Sequence, residues 1–189
     1  MDYYAHTIKI TGFDKMDLNR VEDIVKCGFV LSRRGLRQLG DNSLETNENT
    51  VLFNGMDYIS LCDLTKNHSG YSSYNVYTRI GLSLLFDRSI EVITPNLVDK
   101  QLYNYFNVMS QLDVINERYT DFKDEVQVKD RVSLEYLRGM ALATSSFFVS
   151  NSDDYLNTYV EALKSLLDEY GYNVPIYNLD NWEKIKIKK

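Results

Sequence analysis

Leu156, Tyr159, Val160, Leu163, Leu166, Leu167 and Tyr170 recur at steps of three and four residues, lining one face of a helix. An apolar stripe of that width has to be covered, so the rest of the chain must supply a sheet or further helices to pack on it. Gly171 stands where this helix should stop. Val174-Pro175-Ile176-Tyr177 then reads as a strand or an edge segment, because proline cannot donate to a ladder.

Further elements are read earlier in the chain. Tyr3 to Ile10 is rich in aromatic and β-branched residues and reads as an opening strand. Leu18, Val21, Ile24 and Val25 keep helical spacing, with Asp17 as expected N-cap and Gly28 as the left-handed stop. Residues 33–54 are polar and mostly without period, and Gly40 to Asn49 reads as an exposed loop. Tyr58 to Cys62 reads as a strand. Two apolar runs, Leu82 to Phe86 and Ile90 to Ile93, flank Asp87-Arg88-Ser89 as a hairpin or a sharply bent strand. Leu102, Tyr105, Phe106, Met109 and Leu112 predict another helix. Glu125 to Val128 alternates as a short strand, and Gly139 to Ala143 suits a further one. Strands and helices mix without the regular alternation of a parallel α/β sheet. The expected fold class is α+β: one domain over residues 1–189, with mixed or antiparallel sheets and flanking helices.

The 189 residues suffice to bury a core without a disulfide or metal staple. A net charge of −6 argues against sequence-independent clamping of nucleic acid, which relies on Lys and Arg neutralising phosphates. Cys27 and Cys62 are the only cysteines, and His6 and His68 the only histidines, so no metal-ligand spacing exists and no metal is expected. Two cysteines suit a reducing compartment. The first residues lack the basic start and apolar core of a signal peptide. No apolar run approaches the roughly 20 residues that span a bilayer. The expected location is the cytoplasm, with no membrane partner.

Phosphate loops, dinucleotide fingerprints, nucleophile elbows and zinc-protease helices are all absent as motifs. Three quieter features remain. Ala5-His6-Thr7 lies on the opening strand, where neighbours point to opposite faces. In Tyr58-Ile59-Ser60-Leu61-Cys62-Asp63, Ser60 shares a face with Tyr58 and Cys62 and suits a polar anchor for a ligand. In the charged stretch from Asp121 to Asp130, Glu125 leads a short strand and shares its face with Gln127. Each also has a plain structural role open to it: a satisfied strand histidine, a serine bonded to local backbone, a solvated carboxylate.

Together these segments resemble the ADP-ribosyltransferase fold. The Tyr-x-x-His-Thr strand, the glycine-closed helix and FVLSRRGL (residues 29–36) look like the opening of such proteins, and YISLCD (58–63) takes the place of their serine-bearing strand. DEVQVKDRVSLEYLRGMAL (124–142) is similar to the E-V-x-V…I-P-x-x-x-I-x-G-I pattern that carries the family's catalytic glutamate, including its DarT-type DNA-modifying branch. The resemblance spans residues 3–143 and leaves the helix and strand of 153–178 as an extension. It implies NAD as substrate and a macromolecular acceptor, protein or nucleic acid. It also implies Glu125 as the catalytic carboxylate. His6, Thr7 and Ser60 would line the NAD site, with Arg33, Arg34 and Arg79 as candidate pyrophosphate clamps. The chemistry suits these types: an anion stabilises the oxocarbenium-like sugar formed as nicotinamide leaves, and the guanidinium fork matches a pyrophosphate. Lys123 stands where members that modify proteins often carry an acidic residue or glutamine, so the choice of target residue does not carry over.

Two other classes compete. Tyr3, Tyr4, Tyr58, Tyr71, Tyr74 and Tyr77 suit the aromatic recognition face of a non-enzymatic binding protein on the same or a related fold. An AT-rich coding sequence accounts for the same tyrosines. An RNA-repair phosphotransferase would need converging basic residues, which only Arg33 to Arg37 offers.

Overall fold

The computed structural model describes residues 2–9, 15–40, 57–65, 81–93, 125–142, 153–179 and 181–186. Among these, the elements in chain order are β1 (Tyr4–Lys9), α1 (Lys15–Cys27), β2 (Phe29–Leu31), α2 (Arg33–Gln38), β3 (Tyr58–Asp63), β4 (Gly81–Phe86), β5 (Glu125–Lys129), β6 (Arg131–Ser133), β7 (Leu137–Leu142), α3 (Asp153–Glu169) and β8 (Ile176–Asn178). A 3-10 turn, Leu134–Tyr136, joins β6 to β7.

The fold is α+β, as the mixed periodicities predict. Among the described residues, six strands form one sheet in the order β5-β3-β1-β4-β7-β8, and β2 pairs with β6 in a second. All pairings are antiparallel except β7 with β8. β1 is inserted between β3 and β4, so the opening strand becomes the middle of the sheet.

Registered partners share a face of a sheet, and the two faces differ sharply. One carries Tyr4, Ile59, Leu61, Leu82, Leu84, Phe86, Val126, Val128, Met140 and Leu142, which join one core cluster with Val21 and Val25 of α1 and Tyr159, Val160, Leu163 and Leu167 of α3. The C-terminal helix and strand, an extension by resemblance, belong to this same core. Tyr170 Oη donates to Glu22 Oε1 at 3.4 Å, tying the end of α3 to α1. The opposite face carries Ala5, Cys62, Leu85 and Ala141, with Tyr3, Tyr177, Leu179 and Trp182 packed on them.

Glycines act where the backbone requires them. Gly28 (φ 75°) closes α1 in the left-handed region, as its place in the sequence predicts. At Gly139 a Cβ would lie 3.0 Å from the Tyr177 ring and 3.2 Å from the Pro175 carbonyl, so only glycine lets β8 approach β7. Pro175 still serves the sheet as an acceptor, taking a bond from Met140 N at 2.9 Å.

Three local expectations are corrected. α1 begins at Lys15, so Asp17 lies within its first turn and is not the N-cap. Arg33–Gln38, read as aperiodic, forms α2, because Ser32 caps it by accepting from Gly35 N at 3.2 Å. The run Ile90 to Ile93 does not turn back on β4. It crosses to the far edge, where Ile93 and Gln127 exchange two backbone bonds of 2.8 Å. A short apolar run carries no record of its partner, and here β7 occupies the place beside β4. The helix expected around Leu102–Leu112 lies outside the described residues.

Candidate functional site

Pairing between strands distant in the chain builds a polar patch on the sheet face away from α1 and α3. On β3, Ile59 and Leu61 are buried while Ser60 between them is exposed. Ser60 pairs with Gln127, and Cys62 pairs with Glu125. Ala5 pairs with Cys62, and Thr7 with Ser83. Thr7, Ser60, Gln127 and the Glu125 backbone position therefore share one face. Diagonal neighbours in such a ladder, as Ser60 and Glu125 are, stand about 7–8 Å apart at their Cα atoms.

Small side chains form much of this face. Thr7 Oγ1 and Ser83 Oγ are 3.2 Å apart, and Ser83, paired on its other side with Ala141, is fully buried. Ser83 escaped notice in the sequence, where Leu82-Ser83-Leu84-Leu85 reads as a plain apolar strand. The signal was present: a hydroxyl among leucines needs a hydrogen-bond partner, and the threonine across the ladder supplies it.

His6 lies on the other face. Its register partner is Leu84, a core residue, and its half-buried ring places Nδ1 3.0 Å from the Ser60 carbonyl oxygen. Burial pushes the imidazole below its ordinary pKa of 6.5, against the opposing effect of this hydrogen bond. The strand alternation that separates His6 from Thr7 thus divides two residues that the resemblance groups together.

The arginines occupy other regions. Arg34, on α2, forms a two-pronged ion pair with Asp57 just before β3, which raises its already high pKa. This pair sits beside the β5–β6 turn, where Asp130 (φ 62°) accepts from Ser32 N at 2.8 Å and donates its own N–H to the Asp57 carbonyl at 2.7 Å. The turn follows Lys129, at the opposite end of β5 from Glu125. Four strand steps separate those ends by about 13 Å. Arg33 is half-buried on the same short helix. Arg79 lies outside the described residues.

In the sequence Arg88 reads as part of a turn. Its guanidinium grips the buried Asp63 at the end of β3, stacks 4.6 Å from the centroid of the Tyr4 ring and reaches Asp2 at 3.4 Å. Burial alone would push the Asp63 carboxyl up. The hydrogen bonds from Arg88 and Thr65, with the Arg88 charge, outweigh that and hold it below its ordinary value. This cluster locks the chain start to the ends of β3 and β4.

The expected aromatic recognition face is not assembled from the described tyrosines. Tyr3 and Tyr4 fall in opposite core clusters, and Tyr58 lies at the other end of β3. Among the described residues, no three His, Cys, Asp or Glu side chains converge as a metal site, and no helix is long and apolar enough to cross a membrane.

An α+β domain built on a mixed six-stranded sheet with flanking helices is thus the class that the architecture defines. A solved structure shares it: "Thermosipho africanus DarTG in complex with ADP-ribose" superposes on 93% of this chain with a TM-score of 0.50 at 11% identity. The chain spans 49% of that structure's length, and at this identity the likeness is one of fold. No protein-family model and no curated protein sequence matches the chain.

Proposed function

We propose that this chain is an NAD-consuming ADP-ribosyltransferase whose reacting centre lies on the sheet face of Thr7, Ser60 and Glu125. The observation that carries the reading is the β3–β5 register, which places Ser60 and Glu125 diagonally on one face. The neighbouring fold is described in complex with ADP-ribose, which is what remains of NAD once nicotinamide has left.

In this reading, the bond between C1′ of the ribose and the nicotinamide nitrogen breaks, and its electron pair leaves with neutral nicotinamide. Positive charge develops on the sugar, and the Glu125 carboxylate stabilises it. A nucleophile of the acceptor, or water, then bonds to C1′ and gives up its proton. Ser60, exposed between buried neighbours, supplies a hydroxyl to hold the substrate beside the carboxylate. Thr7 contributes less directly, since its hydroxyl is engaged with Ser83. The acceptor is a macromolecule, and the reaction takes place in the cytoplasm.

The test is nicotinamide release from NAD by the purified protein, with and without cell lysate. Release is expected to fall about 10²–10³-fold in Glu125→Gln. Equal turnover in the variant would remove Glu125 from the mechanism. One observation favours a second reading, a binder of NAD or ADP-ribose without catalysis: the β1 position that pairs with Cys62 on this face is Ala5, which offers no polar group. Thermal stabilisation by ADP-ribose without nicotinamide release in lysate would select that reading.

A further inference from the structure

We infer that His6 is a positioning residue: its Nδ1–H ties β1 to the Ser60 carbonyl just beyond the registered β1–β3 pairing and so holds Ser60 in place, with no contact to the substrate. The inference deepens the proposed function and rests on it for its kinetic consequence alone.

The seam between β1 and β3 carries the argument. β1 pairs with β4 from Tyr4 to Lys9, but its registered pairing with β3 consists of Tyr4–Asp63 and Ala5–Cys62. Leu64 N donates to the Tyr3 carbonyl at 3.1 Å, so Tyr3–Leu64 is a hydrogen-bonded pair. Such pairs alternate along an antiparallel ladder. Ala5–Cys62 would be the next, and Thr7–Ser60 the one after, with the Ser60 carbonyl as its acceptor. The registered pairing stops before that rung, and His6 Nδ1 lies 3.0 Å from this same carbonyl oxygen.

The chemistry then settles the tautomer. A carbonyl oxygen can only accept, so Nδ1 carries the proton. Burial favours the neutral ring, in which Nε2 keeps its lone pair. His6 belongs to the face of Leu84, opposite to that of Ser60 and Glu125. It reaches the site through the β3 backbone. Fixing the Ser60 carbonyl sets the strand on which the Ser60 hydroxyl stands and which pairs, through Gln127 and Glu125, with β5.

The test uses two amides that mimic different ring nitrogens. Asparagine can place an N–H near the Nδ1 position, whereas glutamine places one near Nε2. His6→Asn should keep kcat for nicotinamide release within about threefold of wild type. His6→Gln and His6→Ala should lose about tenfold or more in kcat with little change in KM, because a displaced reacting geometry costs rate. The reverse order, with His6→Gln active and His6→Asn raising KM, would make His6 a substrate contact through Nε2 and overturn the inference.

A second measurement needs no catalysis. The ¹⁵N shifts of the His6 imidazole in the wild-type protein should report the neutral Nδ1–H tautomer, and an Nε2–H tautomer would overturn the inference. The melting temperature should fall by about 3 °C in His6→Gln and His6→Ala and recover in His6→Asn. If the wild type releases no nicotinamide, the transferase reading fails while the tautomer and the melting order still decide the role of His6.

Discussion

The two faces of the six-stranded sheet are built from the same strands yet obey different rules. On the helix-covered face, Leu82, Leu84, Phe86, Met140 and Leu142 are fully buried beneath α1 and α3, and their identity is an affair of volume. On the other face Thr7, Ser60, Ser83 and Gln127 are small or polar, and they stand beside a smaller apolar cluster of Ala5, Cys62, Leu85 and Ala141. Ser60 is exposed there while its two strand neighbours are not. The comparison teaches that one alternating strand can serve stability with one set of residues and hold a candidate reaction centre with the other.

The contrast breaks most readily at Phe86. Truncation to alanine should cost about 3–5 kcal/mol in chemical denaturation, since the ring is fully buried in the main core. A loss under about 1 kcal/mol would mean that this face is not the principal core.

Asp63→Asn comes next, with an expected cost of about 1.5–3 kcal/mol at neutral pH from the weakened grip of Arg88. The pH dependence sharpens it. The folded state holds the Asp63 carboxyl below its ordinary value of 3.8, so the unfolded state binds the proton more readily. The associated stability is complete above 3.8 and drains as the pH falls through the lower folded value. The gap between wild type and variant should hold steady from neutral pH down to about 3.8, narrow below it, and close once the pH is under the folded value. A gap that widens on acidification would show that the ion pair is not its source.

The smallest stability effect belongs to the polar face. Ser60→Ala should change unfolding free energy by no more than about 0.5 kcal/mol, as its side chain is exposed. On the proposed reading, the same change should lessen the thermal stabilisation that NAD is expected to give. A large stability loss with NAD binding intact would move Ser60 from the site to the scaffold.

Parts of the site were legible in the sequence because strand alternation is a local rule. It separates His6 from Thr7, groups Ser60 with Cys62 and groups Glu125 with Gln127, and each grouping is present in the fold. Other parts were not. Arg88 read as a turn residue because Asp63, its partner, lies 25 positions away in the chain. The role of the His6 ring depends on where the β1–β3 pairing ends, which neither strand records by itself.

The sequence by itself determined part of the element list: the stripe of α3, the glycine stop of α1, the alternation in β3 and β5 and hence the α+β class. These follow from side chains within a few residues of one another, through helical and strand periods and the freedom of glycine. Tertiary structure decided which strands are neighbours, sending β1 to the middle of the sheet and Ile93 to its edge. It also decided that Ser60 meets Gln127 and that His6 faces the core side. Register and neighbour order are set by the best joint burial of distant segments, and a shift of one residue would carry every side chain of a strand to the other face.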